Sequence, residues 1–237
     1  MMTVVRRSLM AFLLVGTLAG PVHADTTELM MHGARTRPVV ALTFDLCQVP
    51  GKPAGFDLVL VDLLRASGTA ATFFAGGDWM RSHAEETRQL AATPFFELGT
   101  HSWGHPDFRR LTAQAMATEI RRSREQLQAL TGRNSDLFRL PFGTYDAAVL
   151  AALAGLDVRV IQWDVVSGDP DRAVTAARMA ESVLRQVRPG SIIIMHANGR
   201  GWHTAEALPA ILAGLKKKGL TPVTVSELLA PAAAAQK

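Results

Sequence analysis

The chain has one cysteine, Cys47, in 237 residues. A lone thiol cannot close a loop within its own chain, so internal disulfides are excluded and the fold must be held by packing. Long apolar runs are also missing. The stretch from Leu9 to Ala19 offers about a dozen mostly apolar residues where a bilayer span needs about 20, too few for a membrane anchor. No cluster of Lys and Arg is interleaved with aromatics, so the footprint of a nucleic-acid binder is lacking. The one basic run, Lys216 to Lys218, falls where a helical pattern ends, and there positive charge complements the helix dipole. Internal repeats are absent, and the only low-complexity tract is the Ala-rich tail, residues 230–237.

What remains is a chain with 48% apolar and 19% charged residues, near the globular average and long enough for one sizeable α/β domain. Residues 1–24 read as a signal peptide: Arg6 and Arg7 precede the apolar run, and Val22-His23-Ala24 supplies the small residues of a cleavage site. The expected product is exported, periplasmic or secreted. Removing that segment takes two arginines and no acids, lowering the formal charge from +4 to +2, so the mature chain is not a polyanion binder. Residues 25–38 read as an N-terminal extension and residues 39–229 as the folded domain.

Within that domain, short β-favouring runs alternate with helical patterns. Val39 to Phe44, Ala70 to Ala75, Phe95 to Leu98, Leu137 to Leu140, Val158 to Trp163, Ile192 to Met195 and Pro222 to Val225 read as strands. Leu58 to Ala66, His83 to Ala92, Thr112 to Gly132, Asp146 to Ala154, Ala173 to Val187 and Leu208 to Lys218 read as helices. Such alternation implies right-handed crossovers and a parallel sheet. About seven units in a chain of this size suit a distorted or incomplete (β/α) barrel. Asp45, His101, His105, Arg139, Asp164, Asp169 and His196 fall at or just beyond the C-terminal ends of predicted strands, the face on which parallel α/β folds build active sites.

The sharpest local signal is His101-Ser102-Trp103-Gly104-His105. Four-residue spacing brings two imidazoles to one side of a helical turn, within reach of one ion; the alternative is two loop histidines satisfied by hydrogen bonds. A divalent metal there would polarise a carbonyl and acidify bound water, and hydrolysis would still need proton transfer, for which Asp45 as base and His196 as acid are candidates. Asp45 as a polar strand end and His196 as a core histidine are the structural alternatives.

The ordered series Thr43-Phe44-Asp45, His101-Ser102-Trp103-Gly104-His105, Arg139-Leu140-Pro141-Phe142-Gly143, Trp163-Asp164-Val165-Val166-Ser167-Gly168-Asp169 and Ile194-Met195-His196 resembles the five motifs of the polysaccharide deacetylases, carbohydrate esterase family 4. The resemblance covers about residues 39–229. It implies a NodB-like distorted barrel, a divalent ion that is commonly zinc, and hydrolysis of N-acetyl groups on chitin-, peptidoglycan- or exopolysaccharide-like glycans. Carried over, Asp45 is the catalytic base, oriented by Arg139, and His196 is the general acid, with its tautomer set by Asp169. His101 and His105 are metal ligands. Asp164 is open as a second partner of His196.

One position departs. The family usually has an aspartate directly after the base as third metal ligand, and here Leu46 stands there. Asp57 is the favoured replacement; Asp45 itself, Cys47 or Gln48 are others, although Cys47 also reads as a small buried residue. The departure leaves open a glycan-binding protein that has lost its metal, and fold alone leaves open a small-amide hydrolase. Trp103 and Trp202 are candidates for stacking on sugar rings, with Asn198, Gly199 and Gly201 forming a flexible rim beside His203.

Overall fold

The computed structural model of the protein describes residues 27–48 and 54–231. The expected signal peptide and the last six residues of the tail lie outside them.

Among the described residues nine strands form a single sheet: β1 (Leu29–Met30), β2 (Val39–Leu46), β3 (Ala71–Ala75), β4 (Phe96–Thr100), β5 (Leu137–Phe138), β6 (Arg159–Ile161), β7 (Val165–Val166), β8 (Ile192–His196) and β9 (Thr221–Val223). All pair in parallel, in the order β1-β6-β5-β4-β3-β2-β8-β7. β9 lies beside the N-terminal half of β2, on the side that β3 takes over further along. The order runs from β1 to β7, and the two sides of the sheet meet where the chain passes from β6 to β7 through Gln162 to Asp164. β1 pairs with β6 there, and His32, just after β1, bridges to Ser191 immediately before β8.

Eight α-helices among the described residues clothe the sheet: α1 (Leu58–Ala66), α2 (Gly77–Ser82), α3 (Ala84–Ala92), α4 (Ala113–Thr131), α5 (Ala147–Leu153), α6 (Ala176–Gln186), α7 (Thr204–Lys217) and α8 (Val225–Leu229). The side chains of Thr112, Asp146, Thr175 and Thr224 cap α4, α5, α6 and α8, each accepting from a backbone N–H of the first turn. α4 stops at Gly132, whose φ of 69° is left-handed.

β2 shows how the layers are cut. Val40, Leu42, Phe44 and Leu46 point outward into the main apolar cluster beneath the helices, while Ala41 belongs to a smaller cluster with Phe74, Ile161 and Ile192 inside the barrel. With one face against helices and the other in the interior, the strand is buried almost throughout. The two-residue period puts Asp45, and Cys47 just past the strand end, on the inner face.

Three elements go beyond the sequence expectation. Within the N-terminal extension, β1 pairs with β6 and His32 bridges to Ser191. α7 begins at Thr204 and carries Pro209 inside it, where the proline gives up one bond to the preceding turn; the sequence suggests a start nearer the proline itself. α2 opens directly at Gly77, too short for a periodic signal. Among the described residues no helix is long and apolar enough to cross a membrane.

Candidate active site

At the C-terminal ends of the strands, Asp45, Cys47, His101, His105, Trp163, Asp169 and His196 line one cavity of about 290 Å³. Strand register does the assembly: Asp45 sits directly beside His196 across the β2–β8 pair, and Arg139 follows β5 next to Thr100.

Asp45 and Arg139 form a fully buried ion pair, with Arg139 Nη1 donating to Asp45 Oδ1 at 2.8 Å. Arg139 also donates to the carbonyls of Ile161 and Gln162, and its guanidinium lies 4.0 Å over the Phe74 ring. A buried charge held by one carboxylate, two carbonyls and an aromatic face is satisfied on every side. Burial pushes the Asp45 pKa up, but the charges of Arg139, His101 and His196 outweigh it and hold the carboxyl below its usual range.

His101 is buried, and its Nδ1 lies 2.9 Å from the Arg139 carbonyl. A carbonyl only accepts, so Nδ1 carries the proton and Nε2 is left with a free lone pair, 3.5 Å from Asp45 Oδ2. The His105 ring meets it edge-on, 4.8 Å between centroids, and His105 Nδ1 is buried without a hydrogen-bond partner. Burial, reinforced by the repulsion a protonated His101 would exert, lowers the His105 pKa to about 3. Burial likewise lowers the His101 pKa, so both rings favour the neutral form that metal ligation needs.

The ligand atoms of Cys47, His101 and His105 all lie within 4.8 Å of one another. Two imidazoles, one of them with an orphaned ring nitrogen, and a thiol fit a divalent ion of the zinc type. Asp57 is not in this group. Its carboxylate caps α1, accepting from Leu60 N–H at 3.0 Å, a duty the apolar helical run after it announces in the sequence. Gln48 faces away, paired with Asp78 and Ser82. Without an ion, burial and the nearby Asp45 charge push the Cys47 thiol up to about 12.

His196 Nδ1 lies 3.0 Å from Asp169 Oδ1, and Asp169 accepts further bonds from Ser167 Oγ, Thr204 Oγ1 and the His196 N–H. Burial lowers the His196 pKa, but the hydrogen bond and charge of Asp169, with Asp45 behind, more than compensate and raise it above the ordinary imidazole value. Gly201 serves this cradle by close approach rather than flexibility: a Cβ there would stand 2.8 Å from Asp169 Oδ2 and 2.5 Å from the His196 carbonyl. Asp164 has no part in it. Its carboxylate ties Arg35, Ser191 and the Ile192 N–H together at the closure of the sheet.

The histidine loop is braced from outside. Glu119 on α4 accepts from the N–H groups of Trp103 and Gly104 at 2.9 and 2.8 Å, and Ser102 Oγ accepts from His105 N–H. Ser102, His105 and Phe142 hold positive φ angles of 61°, 58° and 59°, strain that non-glycine residues keep only where their surroundings impose it. Glu119→Ala removes two charge-assisted bonds, each worth about 1.5–3 kcal/mol. The variant is expected to unfold at lower urea concentration and to bind metal more weakly as the loop relaxes.

The tryptophans divide differently from the expectation. Trp103 packs on the backbone of Gly77, where an added Cβ would meet the ring at 2.3 Å, and Arg122 lies 4.0 Å above the ring. It is a structural wedge. Trp202 is 44% exposed beneath Arg172 and does not line the cavity, and His203 pairs with Glu206. The apolar wall of the site comes instead from Trp163, Phe142 and Val166, the last two more than half exposed.

A polysaccharide deacetylase family model matches residues 32–161, more than half of the chain. The chain is 31% identical over 191 residues to a bifunctional xylanase/xylan deacetylase of Cellvibrio japonicus, an alignment covering 80% of this chain and 27% of that one. It is 28% identical over 234 residues to a chitin deacetylase of Pestalotiopsis sp, covering 95% and 77%. The structure superposes on the peptidoglycan N-acetylglucosamine deacetylase Bc1960 with a TM-score of 0.77 and 25% identity, covering 85% of this chain and 92% of that chain. Several curated relatives are much longer, and the chain spans 52% of one of them and 27% of the xylanase. Family match, barrel and the order of site residues agree: the chain belongs to the polysaccharide deacetylase family.

Proposed function

We propose that the protein is an exported, zinc-dependent hydrolase that removes N-acetyl groups from a glycan. The observation that carries this is the convergence, in one cavity, of a buried carboxylate pinned by arginine, a histidine pinned by aspartate, and neutral imidazoles beside a thiol. His101 and His105 would hold the ion. When bound, the ion supplies polarisation of the acetamide carbonyl and acidification of water.

The chain's own groups do the proton work. Asp45, kept ionised and aimed by Arg139, accepts a proton from the attacking water. His196, positively charged while Asp169 holds its Nδ1–H, gives its Nε2 proton to the departing nitrogen. The amide C–N bond breaks, leaving acetate and a free amine on the sugar. Trp163 and Phe142 offer flat apolar faces suited to pyranose C–H surfaces at the mouth.

The test is acetate release from N-acetylglucosamine oligomers and peptidoglycan fragments, abolished by a chelator and restored by zinc. No acetate from a broad glycan panel with metal supplied would overturn the reading. Glycan binding without turnover would then point to a binding protein, and turnover of small amides alone to a different hydrolase.

A further inference from the structure

We propose that Cys47 Sγ is the third protein ligand of the metal, completing a Cys-His-His site that prefers borderline-soft ions such as zinc and cobalt(II) over oxygen-seeking magnesium or manganese. The inference rests on the deacetylase reading only for the presence of an ion. It starts from strand geometry. The carboxylate that the family places directly after the base is replaced by Leu46, whose side chain is fully buried in the outer apolar layer and cannot turn inward. The next residue on the inner face is Cys47, and it lines the cavity.

Two further observations point to a ligand rather than a buried apolar side chain. His105, only 9% exposed, has a ring nitrogen with no partner, on an imidazole grouped with the Cys47 sulfur and His101. A nitrogen buried without a partner is costly unless something absent from the protein's own atoms satisfies it. The second is Asn198. Its buried Nδ2 donates to the Cys47 carbonyl at 2.8 Å and reaches the sulfur at 3.3 Å. A side-chain amide aimed at sulfur treats it as an acceptor and fixes its direction, as an outer partner of a metal ligand does. Of the oxygen donors nearby, Asp57 is engaged at the α1 cap, Gln48 with α2, and Asp45 Oδ1 with Arg139; Asp45 Oδ2, 3.5 Å from His101 Nε2, is the one competitor left, and the metal content of Asp45→Asn separates it from Cys47. On binding, the thiol exchanges its proton for the ion, and the proton leaves to solvent.

X-ray absorption at the zinc edge of the full chain should show one sulfur at about 2.3 Å among nitrogen and oxygen neighbours. The cobalt(II) form should show a near-ultraviolet thiolate-to-metal charge-transfer band. Cys47→Ser should lose both signals and bind zinc at least about 10-fold more weakly, whereas Asp57→Ala should keep both signals while unfolding more easily. An all-nitrogen-and-oxygen shell in the wild type, or a charge-transfer band that survives Cys47→Ser, overturns the proposal. Should Cys47→Ser fail to fold, the wild-type absorption spectrum decides alone. Acetate release with no sulfur in the shell would reject the thiolate ligand and keep the deacetylase; a sulfur-containing shell with no acetate release would do the reverse.

Discussion

Asp45→Asn is expected to lower kcat by about 10²–10⁴-fold, the usual range for a lost general base, with zinc content unchanged. Asparagine keeps an oxygen that can accept from Arg139 and nearly the same shape, so the barrel interior is disturbed as little as a single change allows. What disappears is the negative charge that, on the proposed mechanism, takes the water proton. Metal content separates the two roles open to this residue. The donors that cluster are Cys47, His101 and His105, and Asp45 stands outside that group with one oxygen on Arg139. A base leaves stoichiometric metal when neutralised; a ligand takes the metal with it. Loss of zinc in Asp45→Asn, with the fold retained, would therefore make the aspartate a ligand and remove it as base. The same substitution leaves the guanidinium buried without a counter-charge. Breaking a buried pair from one side costs about 3–5 kcal/mol, so urea unfolding must accompany the kinetics. Asp45→Ala, which also removes the acceptor oxygen, is expected to be the less stable of the two.

How much of this was legible in the sequence follows from the range over which each signal acts. Alternating apolar runs pointed to the parallel barrel because burial on both faces of β2 or β8 needs only local composition. The strand-end polar residues were legible for the same reason, since they interrupt those runs. Cys47 was within reach too. Strand alternation alone places it on Asp45's face and Leu46 on the other, whereas the next carboxylate along the chain, Asp57, stands before Leu58 to Ala66 in the position of a helix cap. The supports were not legible. Glu119 meets the histidine loop from 15 or 16 residues away, and Asn198 meets Cys47 from 151. Such contacts are set by how helices and loops settle on the barrel, and no local period encodes them. Trp163 and Phe142 displace Trp103 and Trp202 from the cavity wall for a similar reason: an aromatic's partner, here Gly77 for Trp103, is a tertiary fact.

His196→Gln is expected to lower kcat by about 10²–10⁴-fold at neutral pH while binding zinc normally, because no other imidazole lining the cavity is held in its protonated form to supply the leaving amine. The informative companion is Asp169→Asn. On the proposed mechanism, wild-type activity needs Asp45 ionised and His196 protonated. The first has its pKa lowered and the second raised, so the two limbs of the pH profile are held apart and a plateau lies between them. Replacing the Asp169 carboxylate by an amide withdraws the charge that most favours the imidazolium and leaves the acidic limb in place. The alkaline limb should therefore move to lower pH and the plateau narrow from that side only. A fall in kcat at every pH with both limbs fixed would mean that Asp169 merely holds the loop. Stability carries the same sign. Because the folded His196 pKa is raised, the stabilisation from its pairing with Asp169 is fully present below the ordinary imidazole value of 6.5 and fades as pH climbs through the folded value. Wild-type unfolding should lose that increment on the alkaline side, and Asp169→Asn, having none to lose, should show a flatter dependence over the same window.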